Sequence, residues 1–298
     1  MDRLDTLSVF IAVAEQGSFI AAARQLGRSP AAVTRAVAAL EDRLATRLLT
    51  RTTRAVALTE AGQRYLDQAR RALAEFAELD TMAGGIGGEP SGVLTVTAPE
   101  MFGRMHVLPV ALDFMRDFPK VEVSLLLVNR VVSYVDEGID LGLRIAHLPD
   151  SSLRAIRLGS MRRVLCASPA YLAAAGTPQR PEDLPDFETI IISGGRPSPD
   201  RWSFGVAPDE RIVQVRPRLA VSTMQAGLDA AVAGGGLVRA LSYQSAPLEA
   251  GGKLHCLLRE HEPAPVPVQL VYPAGRHMPL KTRLFLDRAT AALRGRFA

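Results

Sequence analysis

Lysine is nearly missing from this 298-residue chain: arginine supplies 32 of its 35 basic residues. That bias points to GC-rich coding and is not in itself a sign of phosphate recognition. Cysteine occurs only at Cys166 and Cys256, ninety residues apart. Two such residues exclude a disulfide scaffold and fit a reducing compartment. No run of about 18 uncharged apolar residues exists, which excludes a transmembrane span. The opening MDRLDTLSVF lacks a basic stretch followed by a continuous apolar one, so no secretory signal is expected. These absences together predict a soluble, cytoplasmic protein without a membrane partner. No Gly-x-Ser-x-Gly, Walker loop or Gly-x-Gly-x-x-Gly follows a strand. No catalytic residue and no cofactor are therefore expected.

What is present reads as globular: 48% hydrophobic and 22% charged residues lie close to the soluble average. At roughly 150 residues per domain the length suggests two folded units or one large one. Such a chain can bury roughly 75% of its unfolded surface, so it needs no staple. The net charge of +4 is a weak pointer to a polyanion until it is divided by segment. Between Arg24 and Arg54 lie seven arginines against only Glu41 and Asp42. The positive charge is concentrated there.

The first ninety residues have helical periodicity. Leu4, Leu7, Val9, Phe10, Val13 and Ala14 form an apolar stripe that stops near Gly17. Ser18 caps a short helix, Phe19–Leu26, ended by Gly27. Ser29 then supplies a cap hydroxyl and Pro30 a first helical residue, where its missing N–H is harmless. The helix from Pro30 to about Ala45 presents Val33, Val37, Leu40 and Leu44 on one face. Two helices joined by Gly27–Arg28 make a helix-turn-helix. Residues 46–58 suit a two-stranded hairpin, and Thr59 caps a long helix running from Glu60 to about Ala83. In that helix Leu66, Ala69, Leu73, Phe76 and Asp80 follow a 3-4 spacing, a seam that a partner chain or the rest of the domain must cover. Gly84–Gly92, with five glycines in nine residues, is a flexible linker.

Beyond Gly92 strands and helices alternate. Strands are expected at Val93–Thr97, Val121–Val128, Asp140–Ile145, Arg163–Ala167, Thr189–Ile192, Ile212–Val215, Leu219–Val221 and Gln269–Tyr272. Helices are expected at Arg104–Phe118, Arg130–Glu137, Met224–Ala233 and Pro279–Arg294. The alternation implies an α/β arrangement with mostly parallel sheets.

In a helix-turn-helix the second helix places its N-terminal residues against base edges in the major groove. Here those residues are Pro30, Ala31, Thr34 and Arg35, behind the cap Ser29. Arg35 has the fork to grip a guanine; Thr34 or Ala31 suits a thymine methyl or a phosphate. In the hairpin, Arg51 and Thr52 are placed to hold phosphates and Arg54 to enter a minor groove. Each feature alone reads equally well as an ordinary helix pair or a solvated turn; their adjacency in a basic stretch favours DNA.

The same residues carry a family resemblance. The run SFIAAARQLGRSPAAVTRAVAALEDRLATRLLTRTTRAVALTEAGQRYL, residues 18–66, resembles the N-terminal domain of LysR-type transcriptional regulators. Its Phe19–Leu26 core, Val33–Leu44 reader helix, Leu48–Arg51 element and Leu58–Gly62 element all match. The resemblance extends along the chain, and residues 129–153 and 164–184 are similar to the branch containing short autoregulated and metabolite-responsive repressors and activators. Two departures stand out: Asn129 where that branch often has Asp, and Gly235-Gly236 followed by Leu237-Val238-Arg239 in place of a Gly-Leu-Gly-Ile-Ala run. Both bear on which ligand is accepted.

The resemblance implies an α+β multidomain fold. A winged helix-turn-helix occupies residues 1–59, and a dimerising linker helix with a Gly-rich hinge occupies 60–92. A two-lobed α/β effector domain similar to periplasmic binding proteins follows at 93–298. Lobe I would hold about 93–163 and 267–298, and lobe II about 164–266. Linker helices of two chains would pair antiparallel, so that a homodimer reads double-stranded DNA at an inverted-repeat operator; pairing of dimers into tetramers is common in such families. A small-molecule effector would sit between the lobes. Strand ends would bring Pro99, Glu100, Met101, Asn129 and Ile145 to it from one lobe, and Ser193, Gly194 and Thr223 from the other. Thr223, at a helix N-terminus, suits an anion, whereas Glu100 opposes a carboxylate. His255, Cys256 and His261 lie close in sequence, but three ligands over seven residues without a second cluster make no zinc site, and no metal is expected. Cys166, in an apolar strand, reads as a buried thiol rather than a redox sensor. Two other classes remain open to test: a small-molecule binding protein whose N-terminal helices only oligomerise, and an α/β enzyme working in the cleft.

Overall fold

The computed structural model describes residues 3–51, 56–83, 89–148, 153–193, 200–274 and 278–297. Three short helices open the chain: α1 (Arg3–Gln16), α2 (Phe19–Gln25) and α3 (Pro30–Leu44). The serine hydroxyls act as the sequence predicts. Ser18 Oγ accepts from the Ala21 N–H at 3.3 Å and Ser29 Oγ from the Ala32 N–H at 3.2 Å, satisfying donors that have no partner within a first helical turn. Between α2 and α3 the chain reverses at Gly27, whose φ of +62° is costly for a side-chain-bearing residue. The α3 carboxylate of Glu41 accepts from the Leu48 and Leu49 N–H groups at 2.8 and 2.9 Å. It thereby anchors the hairpin of β1 (Leu49–Arg51) and β2 (Val56–Leu58), which pair antiparallel. Thr59 accepts from the Gly62 N–H at 2.9 Å and opens α4 (Glu60–Ala83).

These elements enclose one core, built on Val9, Phe10, Val33, Val37, Leu40 and Leu66. The seam of α4 is covered in part by its own chain. Leu66 and Ala69 are buried, Tyr65 packs edge-on to Phe10 at 5.5 Å, and Arg70 pairs with Glu15 at 2.6 Å. Further along, Leu73 is half-buried and Phe76 stands 47% exposed. The Asp80 side chain lies outside the described residues.

The remainder starts with β3 (Gly92–Ala98). Helix α5 (Glu100–Phe102) continues through a π-helical turn at Gly103–Val107 into α6 (Leu108–Asp117). Then come β4 (Val121–Leu127), β5 (Leu141–Ile145) and β6 (Leu153–Met161), followed by β7 (Arg163–Ala167), α7 (Pro169–Ala175) and β8 (Thr189–Ile192). A small antiparallel hairpin, β9 (Arg201–Phe204) with β10 (Arg211–Gln214), precedes β11 (Pro217–Val221) and α8 (Met224–Val232). The chain ends with β12 (Leu237–Leu241), α9 (Ser242–Ala250), β13 (His255–Leu257), β14 (Val266–Pro273) and α10 (Leu280–Leu293).

Two five-stranded sheets result, ordered β4-β3-β5-β14-β6 and β11-β8-β12-β7-β13. They are mixed, which corrects the expectation of mostly parallel sheets. Strands β4, β3 and β5 run parallel, as do β11, β8 and β12, but β14 runs antiparallel to β5 and β6, and β7 antiparallel to β12 and β13. The cause is the crossover. The chain leaves the first sheet after β6 and returns after β13, so the strands at each crossing enter reversed. A second correction concerns Arg130–Glu137, expected as a helix and found as bends and turns. Three valines with restricted χ1 angles weaken a helix there. Glu137 instead closes a loop, accepting from Arg130 at 2.6 and 2.8 Å and from the Ser133 N–H at 3.2 Å.

The thiols of Cys166 and Cys256 are free and lie 3.5 Å apart, directly opposite each other across β7 and β13. Sharing a hydrogen with Cys256 and its own burial push the Cys166 thiol well above its ordinary range.

One histidine couples this fold to pH. His106 packs against Phe102, Tyr243 and Phe297 at centroid distances of 4.6, 5.7 and 5.2 Å. Its Nε2 is buried with no partner among the described residues. Burial first, and the charge of Arg296 second, hold its pKa below the ordinary 6.5. The unfolded chain therefore binds the proton more readily just below pH 6.5, and stability present above that value falls as the pH drops toward the depressed folded pKa. Melting temperature measured from pH 7.5 to 5.5 is expected to fall less for His106→Phe than for the native chain; parallel slopes would contradict the assignment.

Candidate nucleic-acid interface and ligand cavity

The first turn of α3 faces outward. Ser29, Pro30, Ala31 and Arg35 are exposed and Thr34 is half-buried, while Val33, Ala36 and Val37 on the opposite side are sealed in the core. Arg35 has no ion-pair partner among the described residues. Arg28 is different: its guanidinium grips Asp5 through both carboxylate oxygens, with Nη1 to Oδ2 at 2.8 Å. That pair raises the Arg28 pKa and lowers that of Asp5. Arg28 thus ties the turn to α1 and leaves the free charge to Arg24, Arg35, Arg43 and Arg47, all exposed. The backbone of Arg51 closes β1 opposite Val56. Its side chain, with Thr52 and Arg54, lies outside the described residues.

The residues expected around a ligand are brought together only in part. Pro99 precedes α5, and Asn129 Oδ1 accepts from the Glu100 N–H at 3.2 Å, which joins two strand ends of the first sheet. Met101 packs against the cores of both sheets, so it stands where the lobes meet. Phe102 and Tyr243 touch across the same junction at 5.2 Å. Ile145 is half-buried at the end of β5 and packs into the first core. In the second lobe, Ser193 donates its N–H to Val221 O at 2.8 Å. Thr223 caps α8 by accepting from the Ala226 N–H at 3.3 Å. Gly194 lies outside the described residues.

A cavity of 330 Å³ opens one residue away from these two positions, beside Ile192 and Met224. Its wall is built by β7, β8, β9 and β12 of the second lobe, and Gln244 of α9 closes one side. Arg163, Arg201 and Arg239 reach it, as does Trp202. The Arg239 guanidinium lies 5.6 Å from the centroids of both Trp202 and Phe204, within reach of a cation–π attraction. Burial, reinforced by Arg163, lowers the Arg239 pKa to about 10.

Residues 4–63 match the family model described as a bacterial regulatory helix-turn-helix protein of the lysR family. Residues 87–294 match the LysR substrate binding domain. The chain belongs to the LysR-type transcriptional regulators. An HTH-type transcriptional repressor of Pseudomonas aeruginosa (strain UCBPP-PA14) is 32% identical to this regulator over 96% of its chain and 91% of the relative. The HTH-type transcriptional activator AaeR of Escherichia coli K12 is 31% identical over 97% and 94%. Among solved structures, the LysR-type regulator CrgA from Neisseria meningitidis superposes with a TM-score of 0.62 at 32% identity, over 98% and 99% of the two chains. The full-length Vibrio cholerae virulence activator AphB gives 0.61 at 27%, over 98% and 100%.

Like its relatives, the regulator joins a DNA-binding helix-turn-helix to an effector-binding domain. No helix among its described residues is long and apolar enough to cross a membrane. No group of three or more possible metal ligands occurs among those residues, and His255, Cys256 and His261 form none. Sequence reasoning missed the cavity's charged wall. The signal was an arginine inside the apolar run Leu237–Leu241, together with the chain's one tryptophan.

Proposed function

We propose that this LysR-type regulator works in the cytoplasm as a homodimer, reading an inverted-repeat operator whose occupancy responds to a small molecule held between the lobes. The exposed, capped first turn of α3 carries the reading. Ser29, Pro30, Ala31, Thr34 and Arg35 enter the major groove, Arg35 contacting a guanine edge and its neighbours a thymine methyl or phosphate. Arg51 and Thr52 hold the flanking phosphates, and Arg54 enters the minor groove. Phe76, exposed on α4, marks the face on which two linker helices pair. In the effector domain Pro99, Glu100, Met101, Asn129 and Ile145 face Ser193, Gly194 and Thr223 across the cleft. An effector that binds one lobe arrangement better than another shifts the paired reading heads by linkage.

The test is a mobility shift on the regulator's own upstream DNA. Arg35→Ala is expected to cost about 1–3 kcal/mol, roughly 5- to 150-fold in affinity, and to relax preference at one base pair in each half-site. Arg54→Ala is expected to weaken all sequences alike and to lower the salt slope by about one. Unchanged affinity and preference in both variants would remove the reading face from α3.

A further inference from the structure

The cavity beside Ile192 and Met224 has a composition that names its ligand. Three guanidiniums reach it, and no carboxylate among the described residues lines it. Arg163, Arg201 and Arg239 have no ion-pair partner among the described residues. Glu100, the acid expected at the cleft, does not line this cavity. Arg239 is the decisive group. It rises from β12 in the middle of an otherwise apolar strand and stands over the faces of Trp202 and Phe204. The rings offset part of its lost hydration, but a half-buried cation without a counter-charge among the described residues stays costly. Its proton affinity is lowered by that burial and by Arg163, yet it remains charged near neutrality. An anion at this point restores what burial removed, in a setting where charge-assisted hydrogen bonds are strong.

The other walls choose among anions. Ile190, Met224 and Leu241 offer an apolar surface beside the indole of Trp202, which suits a hydrocarbon body and offers nothing to a hydrated inorganic ion. A volume of 330 Å³ stands at the low end of the range of about 300–1,000 Å³ typical of small-molecule pockets. We propose that this cavity binds a small monocarboxylate with an apolar or aromatic body, its carboxylate held by Arg239 and Arg163 and its body packed on Trp202 and Met224. The inference rests on the reading of this domain as the effector sensor; it shifts the effector from the cleft residues named above, none of which lines this cavity among the described residues, to the cavity beside them, and it names the effector's chemical class.

Trp202 is the chain's one tryptophan, so its fluorescence reports on this site in the full-length protein. Titration with benzoate, phenylacetate and isocaproate is expected to give a saturable change with at least one of them. Phenylacetamide, equal in shape but uncharged, and inorganic phosphate are expected to give none. Arg239→Met is expected to weaken the responding acid about tenfold or more. Arg163→Gln, at an exposed position, weakens it several-fold and keeps the test valid if Arg239→Met does not fold. Silence toward all three acids, equal binding of the amide or of phosphate, or wild-type affinity in both variants would overturn the assignment. Mobility shifts run alongside separate the two readings. A carboxylate that binds through Arg239 yet leaves DNA affinity unchanged upholds the cavity chemistry and defeats its role as effector site.

Discussion

Phe10→Ala is expected to abolish DNA binding while leaving the effector domain folded. The Phe10 side chain is fully buried at the centre of the N-terminal core and meets Tyr65 of α4 edge-on at 5.5 Å. Emptying such a site costs about 3–5 kcal/mol, since neighbours relax only partly into the cavity. A unit of this size holds only about 0.05–0.15 kcal/mol per residue, so the loss takes most of its stability. The three cores of the remaining chain contain no residue of the N-terminal one, so the damage stays local. Trp202 lies in the second lobe, and its fluorescence melt is expected to match that of the native protein while the mobility shift is lost. A Trp202 transition displaced along with DNA binding would show that the cores unfold as one unit.

The N-terminal unit was legible because its signals are local. Ser18, Ser29 and Thr59 each satisfy a first-turn donor within three residues, and Gly27 supplies the one left-handed turn the two helices need. Pro30 fixes where the reader helix starts, and hence which side chains lead it. The sheets were less legible because strand direction is decided by pairings far apart in sequence. Nothing near β14 announces that it runs antiparallel between β5 and β6, and nothing near Cys166 announces Cys256 across the ladder. The Arg130–Glu137 loop failed for a related reason. Its three valines weaken a helix without forbidding one, and what replaces the helix is the loop closed by the Arg130–Glu137 pair.

The binding chemistry followed the same division. Exposed positions at a helix start are visible along the chain, so the α3 face was read from the helix-turn-helix spacing together with the basic stretch around it. The cleft was read from strand ends, which located Met101 between the lobes but not the charged wall. Arg163, Arg201 and Arg239 come from three strands brought together by the second sheet and its hairpin. Convergence of that kind has no one-dimensional pattern. Only the isolated arginine within Leu237–Leu241 hinted that the strand carried more than packing.

That strand follows a glycine whose replacement meets a backbone obstacle as well as backbone strain. Gly236 adopts φ +130°, and a Cβ placed there would lie 2.4 Å from the Glu188 carbonyl oxygen and 2.9 Å from its carbon. The obstacle is backbone, and the same carbonyl accepts from the Leu237 N–H at 2.9 Å. It cannot yield without loosening the parallel pairing of β12 with β8, which sets Leu237 opposite Thr189. Gly236→Ala therefore adds a clash to the backbone strain, for a cost of about 2–4 kcal/mol. The Trp202 melt is expected to fall by roughly 5–15 °C. Gly234→Ala separates the two causes: its φ is +86°, but nothing lies within 4 Å of the added carbon, so only the strain of about 1–2 kcal/mol remains. The two variants should differ clearly in melting temperature. Since β12 also carries Arg239 to the cavity, Gly236→Ala is expected to weaken carboxylate binding even below its transition, and Gly234→Ala to leave it unchanged. Equal melting temperatures for the two would mean that Glu188 moves aside freely, and β12 would then not be the rigid central strand from which the arginine is aimed.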